Sequence, residues 1–218
     1  MKKILLLGDS IRMGYCGAVR ELLKGKAEVF FSNDNGRFLQ YTLRALSDWK
    51  SAEKWPDDID TVHWNNGLWD ILHLNTVQTE ADGEDAGKTM INPAAAGSKL
   101  IYDKDPLTPP DMYEYMLKRV QRRIRQLFPR AEIVFATTTP VIEEKASWAY
   151  RSNKEIEAYN EIARKILPPL GVKINELGEY AKKHCHIICN RDWVHYNDEG
   201  SLLLAQEIID YLKKEALL

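Results

Sequence analysis

Five runs of strand-forming residues punctuate the chain: 2–7 (KKILLL), 27–31 (AEVFF), 61–64 (TVHW), 132–137 (EIVFAT) and 172–175 (VKIN). Most are bounded by Gly, Asn, Asp or Pro, the residues that turn a strand into a loop. Between them the apolar spacing lengthens to a helical period at residues 17–23, 38–49, 111–128, 152–167 and 176–184. A last helix is predicted from near Asn197, whose capping side chain and the acids Asp198 and Glu199 suit a helix N-terminus. Strands alternating with helices predict a parallel sheet covered on both faces. That is a three-layer α/β/α sandwich on a five-stranded parallel sheet, with the functional loops at the carboxyl ends of the strands.

Residues 75–110 break the rhythm, because they show no sustained period and are rich in Gly, Pro, Asp and Thr. A segment this long is expected to border a binding site or a subunit contact. The remainder reads as one domain spanning residues 1–218, and 44% apolar content over 218 residues is enough for one sizeable core. The 30 basic and 32 acidic residues are spread along the chain without a basic stripe, so nucleic acid is not an expected partner. The aliphatic run after Met1-Lys2-Lys3 is too short for a signal-peptide core or a membrane span, which predicts a cytoplasmic protein with no membrane partner. Three cysteines, Cys16, Cys185 and Cys189, give no disulfide framework and suit a reducing compartment.

The first strand stops abruptly in KKILLLGDSIRMGY, which places Ser10 at the open end of the sheet. A serine hydroxyl is a poor nucleophile until a base takes its proton, so Gly-Asp-Ser alone is turn chemistry and a histidine partner must be sought. Of five histidines, His63, His73, His184 and His186 read as structural or solvent-exposed. His195 differs: in NRDWVHYNDEG it follows Asp192 by three residues, in a non-periodic stretch just ahead of the last helix. A carboxylate at that spacing can fix the imidazole tautomer and stabilise the imidazolium formed when serine is deprotonated. Asp9, beside the serine, is expected to satisfy backbone amides of the turn. The His184-Cys185-His186 group with Cys189 is too irregularly spaced for a zinc pattern, and no metal is expected.

GDSI near the amino terminus, NDNG after the second strand, NNGLWD after the third, ATTTPV at the end of the fourth and DWVH before the last helix follow one another in the order found in the SGNH hydrolases, the GDSL-type esterases and lipases. The chain resembles that family from residue 4 to about residue 212. The resemblance implies a flavodoxin-like sheet, Ser10 as nucleophile, and Asp192 and His195 as its partners. It also implies an oxyanion hole made by the backbone N–H groups of Ser10 and Gly36, each such donor being worth roughly 3 kcal/mol. The third block departs from the family's Gly-x-Asn-Asp, since Gly67-Leu68-Trp69-Asp70 puts tryptophan where the donor asparagine belongs. Asn66, which abuts the turn, is the expected replacement, with Asn65 and the indole N–H of Trp69 as alternatives. Trp64, Trp69 and Trp193 lie in or beside these blocks, as core packing or as aromatic faces for an apolar or sugar surface.

Together these features predict a serine esterase acting on small acyl esters, acetyl esters of carbohydrates first, with no cofactor and a small-molecule ester as partner. A homo-oligomer is allowed. Lipid or thioester hydrolysis on the same fold, and a non-catalytic binding module, are the alternatives. A dinucleotide-binding reading fails on spacing, because Gly8, Gly14 and Gly17 do not form Gly-x-Gly-x-x-Gly and no complete phosphate-loop pattern occurs.

Overall fold

Ile4, Leu5 and Leu6 are wholly buried one after another, and Leu7 nearly so. Consecutive burial means that both faces of the strand are covered, as in a parallel sheet between two helical layers. This run is β1 (Lys2–Leu7) of a computed structural model that describes residues 1–76, 89–91, 101–146, 149–185 and 191–218. The other strands are β2 (Ala27–Phe31), β3 (Thr61–Trp64), β4 (His73–Thr76), β5 (Thr89–Ile91), β6 (Ile101–Asp103), β7 (Glu132–Ala136), β8 (Ala149–Tyr150) and β9 (Val172–Asn175). Five of them form the predicted parallel sheet in the order β2-β1-β3-β7-β9. Its register sets Leu5 beside Phe30 and Val62, Val62 beside Ile133, and Ile133 beside Val172. At its centre the rings of Trp64 and Phe135 meet edge to face at 4.9 Å.

The helices are α1 (Ser10–Leu22), α2 (Leu39–Ala52), α3 (Pro110–Leu127), α4 (Asn153–Ile166), α5 (Leu177–His184) and α6 (Asp198–Lys214). α6 packs on α1 and α5, while α3 packs on α2 and α4. These two groups are the layers on either face of the sheet, the arrangement that right-handed crossovers give this strand order. The order reverses between β1 and β3, and a crevice opens there at the strands' carboxyl ends.

Two features depart from the sequence expectation. Helix α1 begins at Ser10 and not at residue 17, because the Asp9 side chain accepts the Ile11 N–H at 3.0 Å and caps it. The stretch 75–110 is also less irregular than its composition suggests: β5, β6, β4 and β8 form a second, antiparallel sheet in that order. His73 in β4 is buried, with Nδ1 2.8 Å from the Asp103 carbonyl and Nε2 3.0 Å from the Glu155 carboxylate, which ties this sheet to α4. Amides of Leu107 and Thr108 bond the carbonyls of Leu72 and Asp70, drawing the segment before α3 onto the loop after β3. Residues 77–88 and 92–100 of that stretch lie outside the described residues.

Candidate active site

The turn after β1 tolerates no side chain at Gly8. Its φ is +146°, and a Cβ there would stand 1.7 Å from Oδ1 of Asn65. Asp9 follows, buried, with Oδ1 accepting both the Ile11 amide and the Asn65 Nδ2–H at 3.0 Å. Burial pushes its carboxyl up, opposed by those two hydrogen bonds and by the charges of Arg151 and Arg12. Ser10 is thereby fixed as the first residue of α1, where its N–H has no acceptor within the helix and lies at the positive end of the helix dipole.

The loop before α6 brings the base. Oδ1 of Asp192 accepts the amides of Val194 and His195, each at 2.7 Å, and Oδ2 lies 2.8 Å from Nδ1 of His195. The Ile142 amide holds the Trp193 carbonyl at 2.8 Å, and Asn197 caps α6 by accepting the Gly200 amide at 2.9 Å. Both ends of the loop are thus anchored. With Nδ1–H donated to the carboxylate, Nε2 is left as the acceptor of the Ser10 hydroxyl, and it sits 2.8 Å from Ser10 Oγ. Partial burial pulls the Asp192 carboxyl upward, but the hydrogen bonds from His195 and Val194 prevail and hold it below the usual carboxylate range. Ser10, His195 and Asp192 therefore meet as one hydrogen-bonded chain across 185 positions of sequence.

Gly36 and Asn66 sit differently from the sequence expectation. The Gly36 amide donates to the Gly8 carbonyl at 2.9 Å, and a Cβ on Gly36 would come within 2.4 Å of that same oxygen. Arg12 presses this loop inward by donating to the carbonyls of Ser32 at 2.6 Å and Asp34 at 2.5 Å. The Asn66 amide donates to the Arg37 carbonyl at 2.6 Å, while its Oδ1 accepts from the Trp64 indole at 2.6 Å and the Thr42 hydroxyl at 3.2 Å. Asn65 is turned toward Asp9. Both asparagines help to hold the crevice together, each with one of the two N–H bonds of its Nδ2.

The cleft over Ser10 and His195 has a volume of about 40 Å³ and is walled by Leu68, Trp69, Arg151 and Trp193. Trp64 is wholly buried in the core, whereas Trp69 and Trp193 border the cleft. Arg151 had no sequence signal: it is a lone arginine in a stretch without period, brought to the cleft by the pairing of β8 with β4. Among the other histidines, His63 is buried and its imidazole is pushed down to about 3 by burial, a neutral core residue. His184 stacks on Tyr180, and His186 and Cys189 lie outside the described residues.

No family model matches the sequence, and no curated protein does. Solved structures match over nearly the whole chain. The acetyl xylan esterase AlAXEase is 18% identical with a TM-score of 0.63, covering 96% of this chain and 99% of its own. A carbohydrate esterase family 3 protein from Talaromyces cellulolyticus is 17% identical with a TM-score of 0.64, covering 99% and 98%. A member of the lipolytic protein G-D-S-L family from Veillonella parvula is 15% identical with a TM-score of 0.61, covering 98% and 100%. The chain has the α/β fold of the SGNH, or GDSL-type, hydrolases.

Proposed function

We propose that this protein is a serine carboxylic ester hydrolase that removes small acyl groups, acetyl first, from a carbohydrate or similar alcohol through an acyl-enzyme on Ser10. The observation that carries the reading is the chain Asp192–His195–Ser10, with 2.8 Å at each link. Nε2 of His195 takes the Ser10 proton as Oγ attacks the ester carbonyl, and Asp192 keeps Nδ1 protonated and stabilises the imidazolium. Collapse of the tetrahedral intermediate releases the alcohol, which takes the proton from Nε2. Water, deprotonated by the same nitrogen, then attacks the acyl-serine and releases the acid. The N–H of Ser10, at the positive end of α1, faces the developing oxyanion.

The cleft of about 40 Å³ over Ser10 and His195 has room for a short acyl group. Trp69 at the cleft offers an aromatic face for the alcohol part, and the acetyl xylan esterase and carbohydrate esterase among the similar structures agree in substrate class. The test is hydrolysis of p-nitrophenyl esters of increasing acyl length, followed by acetylated oligosaccharides, with Ser10→Ala alongside. Acetate is expected to be the best acyl group, and the substitution to lower turnover by at least roughly a thousand-fold. Undiminished hydrolysis by Ser10→Ala would remove Ser10 from the reaction.

A further inference from the structure

Only 2% of Arg151 is exposed, yet it forms part of the wall of the cleft that holds Ser10 and His195. Burying a guanidinium is costly unless its charge and N–H groups are used. Several contacts hold it in place. Arg151 Nε donates to the carbonyl of Leu68, inside the third block, and the guanidinium carbon lies 5.1 Å from the centre of the Trp193 ring, in the loop that carries His195. The carboxylates of Asp9 and Asp192 supply the opposing charge. The group is thus wedged between the first, third and last blocks of the site. Arg12, the other wholly buried arginine near the turn, has a different task, since it donates to the carbonyls of Gly8, Ser32 and Asp34 and does not border the cleft.

The third block itself brings Leu68 and Trp69 to the cleft, one N–H of the Asn66 amide is bonded to the Arg37 carbonyl, and the Gly36 amide is bonded to the Gly8 carbonyl. An ester oxyanion forming on Ser10 needs donors beyond the Ser10 N–H. We infer that the Arg151 guanidinium is a donor to the acyl oxygen, taking in this chain the place of the third-block asparagine. The inference rests on the esterase reading. Burial lowers the Arg151 pKa only to about 10, so the group is a cation at neutral pH and remains one throughout, since it donates hydrogen bonds and transfers no proton. A guanidinium whose Nε is held by the Leu68 carbonyl keeps its remaining N–H donors in one fixed plane, which an ammonium cannot reproduce.

Arg151→Ala, Arg151→Met and Arg151→Lys, assayed on p-nitrophenyl acetate, test the inference. The expected result is a kcat loss of about 100-fold or more in all three. KM should change by less than about threefold, as for an interaction made in the transition state alone. The pH profile of kcat/KM should stay in place, and guanidinium chloride added at millimolar concentration should restore turnover in Arg151→Ala but not in Ser10→Ala. A loss confined to KM, or a displaced pH profile without rescue, would overturn it and make Arg151 a substrate-anchoring or loop-positioning residue. A variant that does not fold leaves a measurement on the unsubstituted protein. When a phosphonate adduct forms on Ser10, the ¹⁵N resonances of the Arg151 Nη groups should shift, and unmoved resonances would overturn the assignment. Failure of the esterase reading is distinguishable, because it would show as no Ser10-dependent hydrolysis before any change at Arg151.

Discussion

Asp192 has two carboxylate oxygens and both are in use: one gathers two amides of its own loop, the other meets the imidazole. A side chain satisfied in this way orients His195 from within its own loop. Asn66 shows the same economy applied to framework. Its amide and carbonyl make three hydrogen bonds, to the Arg37 carbonyl, the Trp64 indole and the Thr42 hydroxyl. Asn66→Ala would leave the buried Trp64 indole without its acceptor and remove the donor to the Arg37 carbonyl, while Thr42 keeps its bond to the Gly36 carbonyl, at a cost of about 2–3 kcal/mol in total. The substitution is therefore expected to lower the denaturant midpoint clearly while kcat on an acetyl ester falls less than about tenfold. A loss of 100-fold in kcat with unchanged stability would return Asn66 to the oxyanion hole that the sequence alone suggested. The histidine–aspartate pair was legible because its partners lie three residues apart. The donors were not, because adjacency to a turn does not reveal which way a carboxamide faces.

At the scale of elements, the two helices that matter start where the chemistry is. Asp9 caps α1 immediately before Ser10, and Asn197 caps α6 two residues after His195. The two helices pack on one another, so their N-terminal ends bring nucleophile and base together. Asn197→Ala is expected to destabilise the fold by about 1 kcal/mol, as loss of a cap does, and to lower turnover several-fold by loosening the loop that ends at α6. Thermal melts and initial rates of the same preparation check both halves, and unaltered rates would detach the cap from the site. The five parallel strands were legible from their aliphatic runs. The start of α1 was hidden, because Arg12 interrupts the apolar spacing and is buried for a reason far along the chain, its bonds to residues 32–34. β6 and β8 were hidden too, being strands of three and two residues that exist only through pairing. Arg151 reaches the cleft at the end of one of them.

For the whole molecule, the reversal of strand order between β1 and β3 decides where a ligand can enter, and Ser10 lies at that point. The same crevice stores buried charge. Asp70, wholly buried, is pushed from 3.8 up to about 7, by burial first and by Asp9 in addition, although the Leu39 amide bonds it. An unfolded chain releases that proton near pH 4, so between about pH 4 and 7 the folded protein holds a proton that the unfolded chain has lost. Stability contributed by this group accordingly falls as pH rises through the window. Asp70→Asn keeps an oxygen for Leu39 and removes the charge, so it should stabilise the protein at pH 8 by at most about 4 kcal/mol and leave pH 4 unchanged. Urea denaturation at the two pH values reads the difference, and a variant less stable than its parent at pH 8 would refute the assignment. The convergence of Ser10 and His195 is the claim on which the functional reading stands. Intact-protein and peptide mass spectrometry after a brief, acid-quenched exposure to p-nitrophenyl acetate tests it most directly. A single acetyl group is expected on Ser10, absent in Ser10→Ala and much diminished in His195→Ala; a label that forms on another residue while the ester turns over would contradict it.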